Sequence, residues 1–224
     1  MTSLLETDLH FVLTRLPKDI RNLMKKHGLI LGGGFIREVI AGNKANDIDL
    51  FGATLVQLLS ATLELQQDRS ARKFETANAI TLISAPRMPV QFIKRWLFPD
   101  ANAVVASFDF TVCQAAIWFA DGHWHSSIAD RFYPDLAARR LVYTSPAREE
   151  EAGGSMMRVR KFLARGYTIQ ASSLGAVIAR LIGKVRNSDM AQTEEGAAKV
   201  LTGLLREVDP LLVIDGVDAV EEHQ

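Results

Sequence analysis

A single cysteine, Cys113, excludes an internal disulfide within the 224-residue chain. No run of the sequence reaches the roughly 18 consecutive apolar residues of a membrane span. The N-terminus lacks the basic-then-apolar order of a signal peptide, so the expectation is a soluble, cytoplasmic protein with no membrane partner. Charge of one sign is not in excess either. Lys and Arg number 26, as do Asp and Glu, so no overall field draws a polyanion and any nucleic acid has to be gripped by a local patch. Internal repeats and low-complexity tracts are absent, which sets aside solenoids and compositionally driven linkers.

What is present is the composition of a folding chain, 48% apolar and 23% charged, with enough length for one good core and a small helical appendage. Apolar residues at Leu4, Leu5, Leu9, Phe11, Val12, Leu16, Ile20 and Leu23 predict an amphipathic helix interrupted at Pro17 and ended by Gly28. This stripe is read as core packing on a sheet rather than a partner-binding face. "LILGGG" reads as a buried strand entering a glycine turn, "FIREVIAG" as a short helix, and "NDIDLFG" as a half-buried strand. Thr54 caps a helix over "LVQLLSATLELQQ"; "ARKFET", "AITLISA" and "PVQFIKRW" follow as strands, and "FPDANAVVASF" as a short helix. "DFTVCQAAIWFADGHWHSSIAD" predicts two strands around an Asp121-Gly122 turn.

Past residue 146 the texture changes to polar and glycine-rich, then to amphipathic helices over "SMMRVRKFLARG", "LGAVIARLIGKVRN" and "TEEGAAKVLTGLLREV", with a frayed acidic tail after Asp215. Two domains are therefore expected, 1–146 and 147–224.

The stretch from residue 29 to 51, "LILGGGFIREVIAGNKANDIDLF", carries the chemistry. On a strand, residues two apart share a face, so Asp47 and Asp49 present paired carboxylates while Ile48 turns to the core. Such oxygen-rich pairs suit Mg²⁺ or Mn²⁺ together with substrate phosphates. Gly32, Gly33 and Gly34 lack a Cβ, so their backbone can approach a phosphate at the start of the next helix, where Arg37 adds a cation. Metal plus polyphosphate points to in-line phosphoryl chemistry on a nucleoside triphosphate. The plain alternatives are a tight turn followed by a solvated strand edge, and for Arg37 an ion pair with Glu38. His123 and His125 alternate onto one exposed hairpin face without a third ligand, and Cys113 reads as plain core in an apolar strand.

"GGGFIREVIAGNKANDIDLF" resembles the signature of the DNA polymerase β-type nucleotidyltransferase superfamily, most nearly the head domain of bacterial tRNA CCA-adding enzymes and poly(A) polymerases. Gly33, Gly34, Arg37, Gly42, Asp47 and Asp49 fall on the pattern, and Glu38 stands where the family usually has Asp. "SFDFTVCQAAI" is similar to the family's ribose-associated Arg-Arg-Asp-Phe-Thr motif through Asp109, Phe110 and Thr111. Ser107 and Phe108 replace both arginines there, and Gln114 replaces an asparagine. "RVRKFLARGY", from Arg158 to Tyr167, is similar to the family's arginine-rich helix. No counterpart of the base-reading motif stands in the last sixty residues.

The resemblance implies an α+β fold: a mixed, largely antiparallel nucleotidyltransferase-type sheet with flanking helices, followed by a small helical C-terminal region. It implies a metal-dependent nucleotidyltransferase with Asp47, Asp49 and Asp109 catalytic and Asp47 and Asp49 holding Mg²⁺ or Mn²⁺. Gly32, Gly33, Gly34, Arg37, Arg158 and Lys161 would bind the triphosphate, and an RNA 3′ end, tRNA included, would accept the nucleotide. Two alternatives keep the fold: a non-catalytic member that binds a nucleotide or partner, and a toxin-type transferase that modifies tRNA or protein.

Overall fold

Pro17 splits the N-terminal pattern because it has no N–H to give an ongoing helix. Helix α1 runs Glu6–Arg15 and α2 runs Lys18–His27, and Gly28 closes α2 in the left-handed region at φ 62°. The structure is a computed structural model that describes residues 1–146, 152–186 and 192–206. It divides into two compact units, Met1–Ala137 and Ala138–Gln224. The expected boundary at 146/147 abuts residues outside the described ones, and so does the predicted tail after Asp215.

The first unit continues with β1 (Ile30–Gly32), α3 (Gly34–Ile40), β2 (Ile48–Phe51), α4 (Leu55–Arg69), β3 (Arg72–Glu75), β4 (Ala79–Ile83), β5 (Val90–Ile93), α5 (Ala101–Ser107), β6 (Ala115–Ala120), β7 (His123–Ile128) and α6 (Phe132–Ala137). Thr54 builds a full capping box with Gln57 at the start of α4, and Asp100 caps α5 through Ala103 N–H. Asp121 and Gly122 both take positive φ, 49° and 80°, as a tight two-residue hairpin requires.

The seven strands form one sheet in the order β3-β4-β5-β2-β1-β6-β7. Every neighbouring pair is antiparallel except β2 with β5. The fold is α+β, a mostly antiparallel sheet flanked by helices. One sheet face buries Ile48 and Leu50 completely and packs on the side of α2 and α4. Burial of each such side chain contributes about 1.5–3 kcal/mol. The other face gathers Ile30, Phe51 and Ala116 against Ala101, Val104 and Val105 of α5.

The predicted first strand of the late hairpin begins only at Ala115. Thr111–Cys113 form a 3₁₀ turn instead, where Thr111 Oγ1 donates to the fully buried Asp135 of α6 at 2.7 Å. Cys113 is core, but in that turn rather than in a strand. His123 is exposed, whereas His125 is half-buried and stacked on Trp118 at 5.5 Å, so the two do not form a shared exposed pair.

The second unit holds a short parallel pair, β8 (Arg140–Leu141) with β9 (Thr168–Ile169), and helices α7 (Ala152–Ala164), α8 (Ala171–Arg186) and α9 (Glu194–Arg206). These three helices pack on one another. No helix among the described residues is long and apolar enough to cross a membrane.

Candidate functional site

Asp47 precedes β2 and Asp49 lies within it, both half-exposed, with Ile48 fully buried between them. Strand alternation therefore brings the two acids to one face of the sheet, the face that also carries Phe51. Two neighbouring strands complete the surroundings. On one side the parallel register sets Asp49 directly beside Gln91 of β5, and Gln91 Nε2 donates to Asp47 Oδ2 at 3.2 Å. On the other side β1 runs antiparallel with Ile30 opposite Phe51 and Leu31 opposite Leu50. One further step in that register places Gly32 beside Asp49.

The glycine bend thus adjoins the acid pair, but its open side is filled by aromatic rings. A Cβ on Gly32 would lie 2.7 Å from the Phe51 ring and 3.1 Å from Phe108, and one on Gly33 would lie 3.1 Å from Phe108. Phe51 and Phe108 meet edge to face with centroids 5.9 Å apart. Gly33, at φ 67°, donates its N–H to Ala115 O at 2.9 Å, so that donor serves the sheet. The part of the bend these rings leave uncovered is Gly34, where an added Cβ would meet nothing nearer than Arg37 Nη2 at 3.7 Å.

Arg37 is buried and engaged. Its Nε and Nη2 donate to Glu38 Oε1 at 3.0 and 2.8 Å, and Nη1 to Cys113 Sγ at 3.2 Å. Glu38 Oε2 in turn accepts from Asn43 Nδ2 at 2.9 Å. The bonds from Arg37 to Cys113 and from Asn43 to Glu38 tie α3 to the 3₁₀ turn and to the loop leading into β2. Asp109 lies between α5 and that turn with only 1% of its surface exposed, so a ligand reaches it only by displacing the atoms that cover it. Arg158 and Lys161 lie half-buried on α7 in the second unit.

Among the described residues no group of three or more His, Cys, Asp or Glu is arranged to hold a metal. The donor set that does exist, two half-exposed carboxylates on one strand face, fits a hard divalent cation that takes its other ligands from phosphate and water. Gln91 and the roofing ring of Phe108 escape a reading of the sequence. The signal for Gln91 is a polar residue alternating with Val90 and Phe92, which acquires meaning only through the β2–β5 pairing.

A model of the Gabija anti-defense 2 family matches residues 3–139, the unit that carries the acid pair. The chain belongs to the Gabija anti-defense 2 family. The family thus stands in place of a nucleotidyltransferase family proper, while the nucleotidyltransferase resemblance holds at the level of fold. A relative, Gabija anti-defense 2 of Bacillus phage SPbetaL7, is 26% identical over 154 residues, 69% of this chain and 37% of that one. The chain therefore spans well under two thirds of the relative it matches. Among solved structures, a Thermotoga maritima CCA-adding enzyme complexed with tRNA is similar at a TM-score of 0.55 and 13% identity, covering 89% of this chain and 53% of that one. A CCA-adding enzyme with CTP gives 0.56 and 14%, with 87% and 54% covered. At such identities the likeness is one of fold: this Gabija anti-defense 2 family member has a fold similar to that of CCA-adding nucleotidyltransferases.

Proposed function

We propose that the chain is a metal-dependent nucleotidyltransferase serving anti-defense against Gabija. Asp47 and Asp49 hold Mg²⁺ or Mn²⁺, and the backbone at Gly34 and the start of α3 receives the phosphates of a nucleoside triphosphate. A bound cation supplies activation of the attacking hydroxyl and charge stabilisation of the departing pyrophosphate. The acceptor oxygen bonds to the α-phosphorus, the bond from that phosphorus to the β-bridging oxygen breaks, and the hydroxyl proton passes to water. An RNA 3′ end, tRNA first, is the acceptor, and Arg158 and Lys161 of the second unit are cations for its backbone. The observation that carries the reading is the acid pair on one sheet face beside the glycine bend. The test is incubation with α-labelled triphosphates, Mg²⁺ or Mn²⁺, and total RNA. Label should enter an acceptor and disappear in Asp49→Ala; absence of label with either metal overturns the reading.

A second reading, a non-catalytic member that binds a nucleotide or a partner, is favoured by the Phe108 ring over the bend and by the engagement of Arg37 with Glu38. It predicts no transfer, together with a nucleotide affinity unchanged in the Asp47→Ala/Asp49→Ala double variant.

A further inference from the structure

We propose that Gln91 is a positioning residue of the cation site, fixing the Asp47 carboxylate through its side-chain amide. This inference rests on the cation-binding part of the nucleotidyl-transfer reading. Gln91 is 6% exposed, and a carboxamide so far from water has to find partners for its donors and its acceptor. Its donor goes to Asp47 Oδ2 at 3.2 Å, although the parallel ladder sets its backbone beside Asp49, two residues further on. One side chain thereby touches the surroundings of both acids. Its strand neighbours Val90 and Phe92 are fully buried on the opposite face, so β5 turns its polar residue toward the acids and its apolar residues toward the core.

The chemistry of an amide at this point is specific. By donating one N–H, Gln91 occupies a lone pair of a single Asp47 oxygen and leaves the other oxygen's orientation defined. It stabilises the ionised carboxylate without adding a third negative charge next to a pair that already repel. A carboxylate in its place would raise that repulsion in the absence of a cation. A methionine would fill the same volume and leave Asp47 without this donor.

The test is direct cation binding to the full-length chain without nucleotide, using Mn²⁺ followed by electron paramagnetic resonance. Groups that orient metal ligands typically contribute about 10–100-fold to affinity, and Gln91→Met should weaken Mn²⁺ binding by that factor. Gln91→Glu supplies a second, independent readout. Its melting temperature should fall below that of the wild type in metal-free buffer and recover when Mn²⁺ is added, because the cation offsets the added charge. A deficit of the same size with and without Mn²⁺, or wild-type Mn²⁺ affinity in Gln91→Met while Asp47→Ala loses binding, overturns the role of Gln91 and leaves the cation site standing. Wild-type protein that binds no Mn²⁺ at all removes the site itself, and with it both the role of Gln91 and the nucleotidyl-transfer reading.

Discussion

The rings of Phe51 and Phe108 require glycine at position 32 before any ligand does. Phe51 reaches to 2.7 Å of where a Cβ would stand, a distance real Cβ atoms essentially never show, and it belongs to the core rather than to a flexible surface chain. Overpacking of that kind costs about 1–3 kcal/mol. Gly32→Ala is expected to lose stability in that range, measured as a lower urea midpoint with an unchanged slope; wild-type stability would mean the rings have room to move. The same reasoning separates the glycines by role. Gly32 makes space for rings, Gly33 turns the chain and pairs with Ala115, and Gly34 is the one whose added Cβ meets nothing nearer than Arg37 Nη2 at 3.7 Å.

Pairs of elements carry the next level of consequence. Asp19, in the first turn of α2, receives Arg69 Nε from the last turn of α4 at 2.8 Å, and that arginine side chain is 1% exposed. Burial pushes the Asp19 carboxyl up, but the hydrogen bond and charge of Arg69, helped by the Ile20 N–H and Arg87, outweigh it and hold the group below its ordinary value. A carboxyl with a depressed folded value stabilises the protein above its unfolded value and loses that contribution as pH falls through the folded one. Stability should therefore decline below about pH 4. Asp19→Asn should flatten that part of the acid limb and cost about 2 kcal/mol near neutrality, less than the 3–5 of a fully buried pair because 36% of the Asp19 side chain is exposed. Urea midpoints across a pH series measure both, and an unchanged acid limb would refute the linkage. Features fixed by neighbours in the chain were legible in the sequence: the Pro17 break, the Thr54 capping box, the Asp121-Gly122 turn and the strand that aligns Asp47 with Asp49. Features fixed by distant partners were not. Helix α6 and the 3₁₀ turn depend on Thr111 reaching Asp135, 24 residues on, and Gln91 meets Asp47 across 44 residues through the sheet's parallel pair. For Arg37 the sequence offered both a phosphate contact and an ion pair with its neighbour Glu38, and the bonds of its guanidinium to Glu38 and Cys113 appear only in the fold.

For the molecule as a whole, balanced charge limits how an RNA acceptor can be held. With 26 cationic and 26 acidic side chains the chain has no net attraction for a polyanion, so any grip on RNA comes from a few residues rather than from a field. Each cation that displaces a counterion from single-stranded nucleic acid contributes about 0.7 to the slope of log affinity against log salt. If Arg158, Arg160 and Lys161 of α7 contact the RNA backbone, that slope is about −2, shallow beside dedicated nucleic-acid binders. Replacing all three with alanine should then bring it close to zero and weaken binding alike for every RNA sequence, because phosphate contacts carry no sequence information. Fluorescence anisotropy with tRNA and with an unrelated single strand across a salt series gives both slopes. A steep slope that survives the triple replacement would place the RNA on other cations, and a flat slope in the wild type would turn the search for the acceptor from RNA toward a small-molecule or protein hydroxyl.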